Sequence, residues 1–226
     1  MKNEVGVATA HLNESAIASQ HAVLRNTYRL LSMTLAFSAL VAAGSIALNL
    51  PHPGIIVVLV GYFGLLFLTS YLRNSAWGLV SVFALTGFMG YTIGPIINMY
   101  LGLANGPSLV TAAMATTGVV FLGLSAYARS SKAPDMMRFS TFLFVGILVA
   151  FCMGLAAVFF QMPMLSVAVS GLFVLLMSGL IMWQTQDIIR GGETNYIMAT
   201  VTLFVAIYNL FTSLLHIFGF LGGDEG

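Results

Sequence analysis

The sequence predicts an all-α integral membrane protein, a seven-transmembrane-helix bundle with the last helix buried at its centre. Three observations predict it. Of the 226 residues, 59% are hydrophobic and 7% charged, against about 25% charged in a soluble domain; so apolar a chain belongs in a bilayer. Seven stretches each approach the roughly 20 apolar residues that a helix needs to cross the hydrocarbon core. The basic residues then all fall on one side of those seven crossings.

The N-terminal segment, residues 1–24, is polar and rich in alanine and serine, with no continuous apolar run. It is no cleavable signal peptide, and it is expected to be a largely disordered cytoplasmic tail. The transmembrane domain then occupies residues 25–226, with spans at 28–50, 54–72, 76–101, 109–128, 139–160, 164–183 and 196–220. The links LPHPG (50–54), ANGPS (104–108) and QMP (161–163) break helices with proline and glycine and carry no Lys or Arg. The links LRNS (72–75), ARSSKAPDMMR (128–138) and QDIIRGGETN (186–195) each carry at least one. Lys2, Arg25, Arg29, Arg73, Arg129, Lys132, Arg138 and Arg190 thus share a face. The positive-inside rule makes that face, and the N-terminus, cytoplasmic, and puts the C-terminal GGDEG opposite.

Composition also excludes functions. A net charge of +1 gives no reason to expect nucleic acid. Cys152, the only cysteine, allows no intrachain disulfide or thiol cluster, and its apolar flanks suit quiet packing. His11, His21, His52 and His216 show no metal-ligand spacing, and no GxSxG, P-loop or GxGxxG is present, so no catalytic, cofactor or metal residue is expected and the chain does not read as an enzyme. No Asp, Glu, Lys or Arg lies mid-span, which argues against a proton-coupled pump. The chain shows no internal repeat of the kind transporters carry.

Polar residues inside the spans are the informative ones. In the third span, Gly87, Gly90 and Gly94 share a helix face, where small residues let backbones approach. Pro95 should kink that helix. Close packing is the simpler reading and a bent wall of a cavity the other. The sixth span ends in a polar patch of Gln184, Thr185, Gln186, Asp187, Arg190 and Glu193. There Arg190 is spaced to pair with Asp187 or Glu193, and Gly191–Gly192 reads as a helix stop. The patch is either an anchored loop or a gating or partner surface.

In the last span Asn195, Ala199, Thr202, Ala206, Asn209, Ser213 and His216 repeat by fours and threes. A small, polar stripe at that spacing is a buried seam. Together with Gln184, the residues Thr202, Asn209, Ser213 and His216 are the candidate polar seam or pore. A lone intramembrane His more often holds structure than acts as a switch.

Three segments resemble the Bax inhibitor family, most closely its bacterial YccA branch. They are VLRNTYRLLSMTLAFSAL (23–40), GYTIGPIINMYL (90–101) and IIRGGETNYIMATVTLFVAIYNLFTSLL (188–215). The resemblance spans 23–220 and implies a seven-helix fold enclosing the last helix. For the YccA branch it implies a bacterial inner-membrane protein that associates with the AAA protease FtsH and restrains its degradation of membrane proteins. Residues 1–24 would be the part from which the protease can begin. Other members are calcium leak channels latched by two aspartates. The first latch position falls on Gln184, within Trp183 to Gln186, and the second on Ala206. Neither is a carboxylate, so the pair can neither share a proton nor bind calcium in that way; Asp187 and Glu193 lie nearby. The reading is therefore an interaction protein acting on FtsH, with a cation leak along the polar seam as the alternative and calcium as an open question.

Overall fold

The computed structural model describes residues 2–222, with side chains from residue 18 onward. Residues 223–226 of the C-terminal GGDEG, and the side chains before residue 18, His11 among them, lie outside the described residues. Seven helices follow in order: α1 (Lys2–Ala47), α2 (Ile55–Leu72), α3 (Trp77–Leu101), α4 (Gly106–Tyr127), α5 (Ser140–Phe159), α6 (Pro163–Arg190) and α7 (Tyr196–Gly222). A short 3-10 turn, Met136–Phe139, leads into α5. All seven are long and apolar enough to cross a membrane. No strand occurs among the described residues.

Two boundaries differ from the sequence-based expectation. The segment expected to be disordered is helical from Lys2. It holds no proline and a single glycine, Gly6, and a helix already nucleated by the span extends through such residues without a new nucleus. In the sixth span the helix runs past the apolar limit at 183 to Arg190, and Gly191 ends it, as the Gly191–Gly192 pair suggested. Gln184, Thr185 and Gln186 are buried, and Thr185 and Gln186 hydrogen-bond within the protein.

Without a hydrophobic force between helices in lipid, association depends on close van der Waals fit and hydrogen bonds. The α1–α3 pair shows this. A Cβ at Gly90 would land on the Ser38 carbonyl oxygen, and one at Gly94 would stand 2.7 Å from Ser45 Cβ. At Gly87 it would stand 2.8 Å from the Phe37 ring. The glycine face is a packing seam against α1. Pro95 does not end α3, which continues to Leu101. Lacking an N–H, Pro95 leaves the Tyr91 carbonyl without its helical donor; the Ser45 hydroxyl of α1 donates to it at 3.3 Å.

Helix α7 touches α1, α3, α4 and α6 and contributes to both apolar cores. One gathers around Met177, Ile181, Leu210 and Leu215, the other around Leu31, Leu85, Val201 and Phe204. The centre is shared, however. α3 is buried to a similar extent, because its glycines draw α1 over it. The small, polar stripe is also not the only covered face of α7, since Leu203 and Leu210 are wholly buried off it. Helices α2 and α5 form the lipid-facing outside, with Phe67 and Phe142 exposed.

Candidate functional site

The basic face is tied together by the segment GGETN, which joins α6 to α7. Gly191 ends α6 in the left-handed region at φ 77°, a conformation that favours glycine; a Cβ there would also stand 2.8 Å from Gln20 Nε2 of α1. At Gly192 a Cβ would collide with the Asp187 carboxylate. Glu193 Oε1 accepts the Asn195 N–H at 2.7 Å. Asn195 Oδ1 in turn accepts from the N–H groups of Ile197 and Met198 at 3.0 and 3.1 Å. That is an N-cap for α7, satisfying donors that the first turn leaves free. The other end of the same amide donates to the Arg73 carbonyl and to Asn74 Oδ1. Asn195 therefore caps α7 and clamps it to the α2–α3 link.

A second clamp holds the α4–α5 link. Gln186 Nε2 donates to Pro134 O at 2.8 Å, and Gln186 Oε1 accepts the Met136 N–H at 2.9 Å. Beside it Arg190 donates to Asp135 Oδ1, and Arg138 adds a longer contact at 3.4 Å. The hydrogen bond from Arg190, helped by the Met137 N–H and the nearby positive charge, holds the Asp135 carboxyl below the usual carboxylate range. Arg190 thus reaches across to Asp135 instead of pairing with Asp187 or Glu193 along its own chain. The latter is occupied by Asn195.

The candidate seam residues do not form one line of shared contacts. His216 Nδ1 lies 2.8 Å from Ser170 Oγ of α6. That hydroxyl also donates to Ser166 O at 3.0 Å, an arrangement that takes the Nδ1–H tautomer of the ring. Asn209 Nδ2 donates to the Val205 carbonyl one turn back. Ser213 and Gln184 are buried and Thr202 half-buried. Asn209 reaches a cavity of about 370 Å³ bounded by α2, α3, α5, α6 and α7, and the other four do not line it. Its walls are aromatic, with Phe63 of α2 and Phe151 of α5 in edge contact at 5.8 Å. One polar pair, Tyr208 OH and Thr92 Oγ1 at 3.2 Å, lies on its inner side.

At the latch positions, Gln184 is 2% exposed and Ala206 wholly covered. Gln184 Nε2 is buried without a hydrogen-bond partner. Among the described residues no three His, Cys, Asp or Glu side chains come together to hold a metal ion. Ser45, Asp135 and Ser170 matter to this architecture and were not singled out from the sequence. Their partners lie 46 to 55 residues away, beyond any local pattern. Asn195 did carry a local signal, a capping residue directly before an apolar run.

The family described as inhibitor of apoptosis-promoting Bax1 matches residues 20–223. An uncharacterized protein of Pseudomonas aeruginosa is 58% identical, over 93% of this chain and 96% of its own. The modulator of FtsH protease YccA of Escherichia coli K12 is 47% identical, over 96% of this chain and 98% of its own. A protein of E. coli O6:H1 with the same coverage and identity is described as inner membrane protein YccA.

Proposed function

The chain belongs to the Bax inhibitor family of membrane proteins, and from that membership we propose that it associates with the membrane AAA protease FtsH and restrains its degradation of membrane proteins. The observation that carries the proposal is the near full-length similarity to a relative named for modulating that protease. We place the chain in a bacterial inner membrane with its basic face and N-terminus cytoplasmic, on the distribution of Lys and Arg, and give it a regulatory role without catalysis of its own.

The architecture supports a physical form of restraint. Residues 2–17 of α1 lie ahead of the apolar run that follows Arg29 and reach about 24 Å at helical rise, a handle from which a motor can begin. The same helix packs on α3 and α7, the two interior helices. Pulling it out strips the cover from both at once, so the first step of unfolding is a large one. A protease engaged on so slow a substrate is withheld from others. The cation-leak alternative is not carried forward: the latch positions hold no carboxylate, and of the five seam residues Asn209 alone lines the chamber.

The test is the lifetime of a known FtsH membrane substrate in cells with this protein absent, overproduced, or overproduced without residues 2–17. The deletion stops short of the apolar run that follows Arg29. Overproduction is expected to lengthen the lifetime and the deletion to abolish that effect. An unchanged lifetime on overproduction sinks the proposal; persistence of the effect after deletion removes the tail from it.

A further inference from the structure

A hollow of about 580 Å³ opens on the basic face between α1 and the end of α4, lined by Ala18, His21, Ala22, Arg25, Tyr28 and Arg129, together with Leu24. Local sequence makes it. Ala18 and Ala22, one turn apart, leave the space that longer side chains would fill. Arg25, within α1, and Arg129, just past the end of α4, flank it. The Arg129 guanidinium lies 5.3 Å from the centroid of the Tyr28 ring, a cation–π distance, and that ring rests on Phe121 at 6.0 Å. The Arg129 side chain is thereby held in place at the rim.

Among the described residues the charge is uncompensated. Of the acidic side chains described, Asp135, Asp187 and Glu193, none lines the hollow. Asp135 is taken by Arg190 and Arg138. Arg25 is exposed and has neither hydrogen bond nor ion pair among the described residues. Two guanidiniums converging on one concave site, with a histidine beside them, match a phosphate group, which the planar fork of arginine binds better than a point charge does.

The level in the membrane decides the source of the phosphate. The uncharged apolar run of α1 begins just after Arg29, one turn past Arg25, and Arg129 lies two residues beyond the end of α4 at Tyr127. Both walls are therefore at the headgroup layer, where basic pockets between transmembrane helices take anionic lipid headgroups. Leu24 and the Tyr28 ring give the hollow an apolar side that a soluble ion has no use for. We propose that this hollow binds the phosphate of an anionic phospholipid headgroup.

The full-length protein in a neutral maltoside detergent is titrated with short-chain phosphatidylglycerol, with the zwitterionic phosphatidylcholine of the same chains, and with inorganic phosphate, reading the thermal midpoint. Phosphatidylglycerol is expected to raise it at concentrations where the other two do not. Arg25→Gln alone, at an exposed and unpartnered side chain, should raise the half-effective concentration about fivefold, and the double variant with Arg129→Gln about 25-fold, from the usual worth of one basic residue near an anionic surface. Arg73→Gln, which removes the same charge elsewhere on the basic face, should leave it unchanged. Equal response to phosphatidylcholine, or an equal loss in Arg73→Gln, overturns the site in favour of diffuse charge. Saturation by inorganic phosphate overturns the lipid as its occupant. The unliganded midpoints of Arg25→Gln and wild type, expected to coincide, report that the variant is folded.

Discussion

Asn195 has more partners than any other polar side chain on α7, since one amide caps the helix and holds the α2–α3 link. Asn195→Ala removes both functions and is expected to lower stability by about 1–3 kcal/mol, read as a fall in the thermal midpoint of purified protein. Asn195→Asp keeps the capping acceptor and loses the donor to Arg73 O and Asn74, so its fall should be smaller. Asp135 gives a prediction in pH. Its carboxyl is held below the ordinary carboxylate range, so its contribution is present above about pH 4 and lost as pH falls through the depressed value. The midpoint of the wild type should therefore change little from neutral pH to about pH 5 and drop below about pH 4, and Asp135→Asn should flatten that part of the curve. The sequence showed Asn195 as the first member of a polar stripe, and the stripe concealed its cap. Arg190 looked as if it belonged to its own chain neighbours, because a link 55 residues away leaves no trace in spacing.

Between elements, the glycines make a paired test. A methyl group at Gly90 would fall on the Ser38 backbone, whereas at Gly64 of α2 it meets nothing within 4 Å. Gly90→Ala is expected to destabilise by about 1–3 kcal/mol through overpacking, and Gly64→Ala to be neutral or to stabilise by up to about 1 kcal/mol through helix propensity. Equal effects on the thermal midpoint would falsify the seam as the basis of the α1–α3 pair. Ser45→Ala leaves the Tyr91 carbonyl beside Pro95 without a donor and should cost about 1–3 kcal/mol. Five of the seven spans were legible within a few residues, because long apolar runs bounded by proline, glycine and charge leave little choice. The polar residues that end the sixth apolar run and precede the first were misleading for one reason. Hydropathy records what a residue prefers alone, whereas Gln186 stays helical by virtue of Pro134 and Met136, and α1 extends through residues that only needed a helix to join.

For the molecule as a whole, the inferred orientation is checked by thiol labelling. In a Cys152→Ser background, Ser131→Cys in the α4–α5 link should react with an impermeant maleimide only once the cytoplasmic side is opened. Asn105→Cys in the α3–α4 link should react from outside. The reverse pattern turns the topology over. The overall architecture needed little beyond composition and the placement of eight basic residues. The proposed partner did not come from physics at all; it came from family likeness, since nothing in a seam of glycines and capped helices specifies a protease.

The central position of α7 has a consequence for how the protein is made. Its 27 residues leave the ribosome after the other six described helices, yet they fill a slot walled by α1, α3, α4 and α6. Until α7 is inserted, the bilayer holds the preceding helices around an unfilled groove, with interior surfaces of four of them facing lipid or one another in temporary arrangements. Assembly is completed from the C-terminal end. A chain cut short by a premature stop anywhere before Tyr196 therefore lacks the common neighbour of those four helices, and is expected to persist only as a loose array that quality control removes.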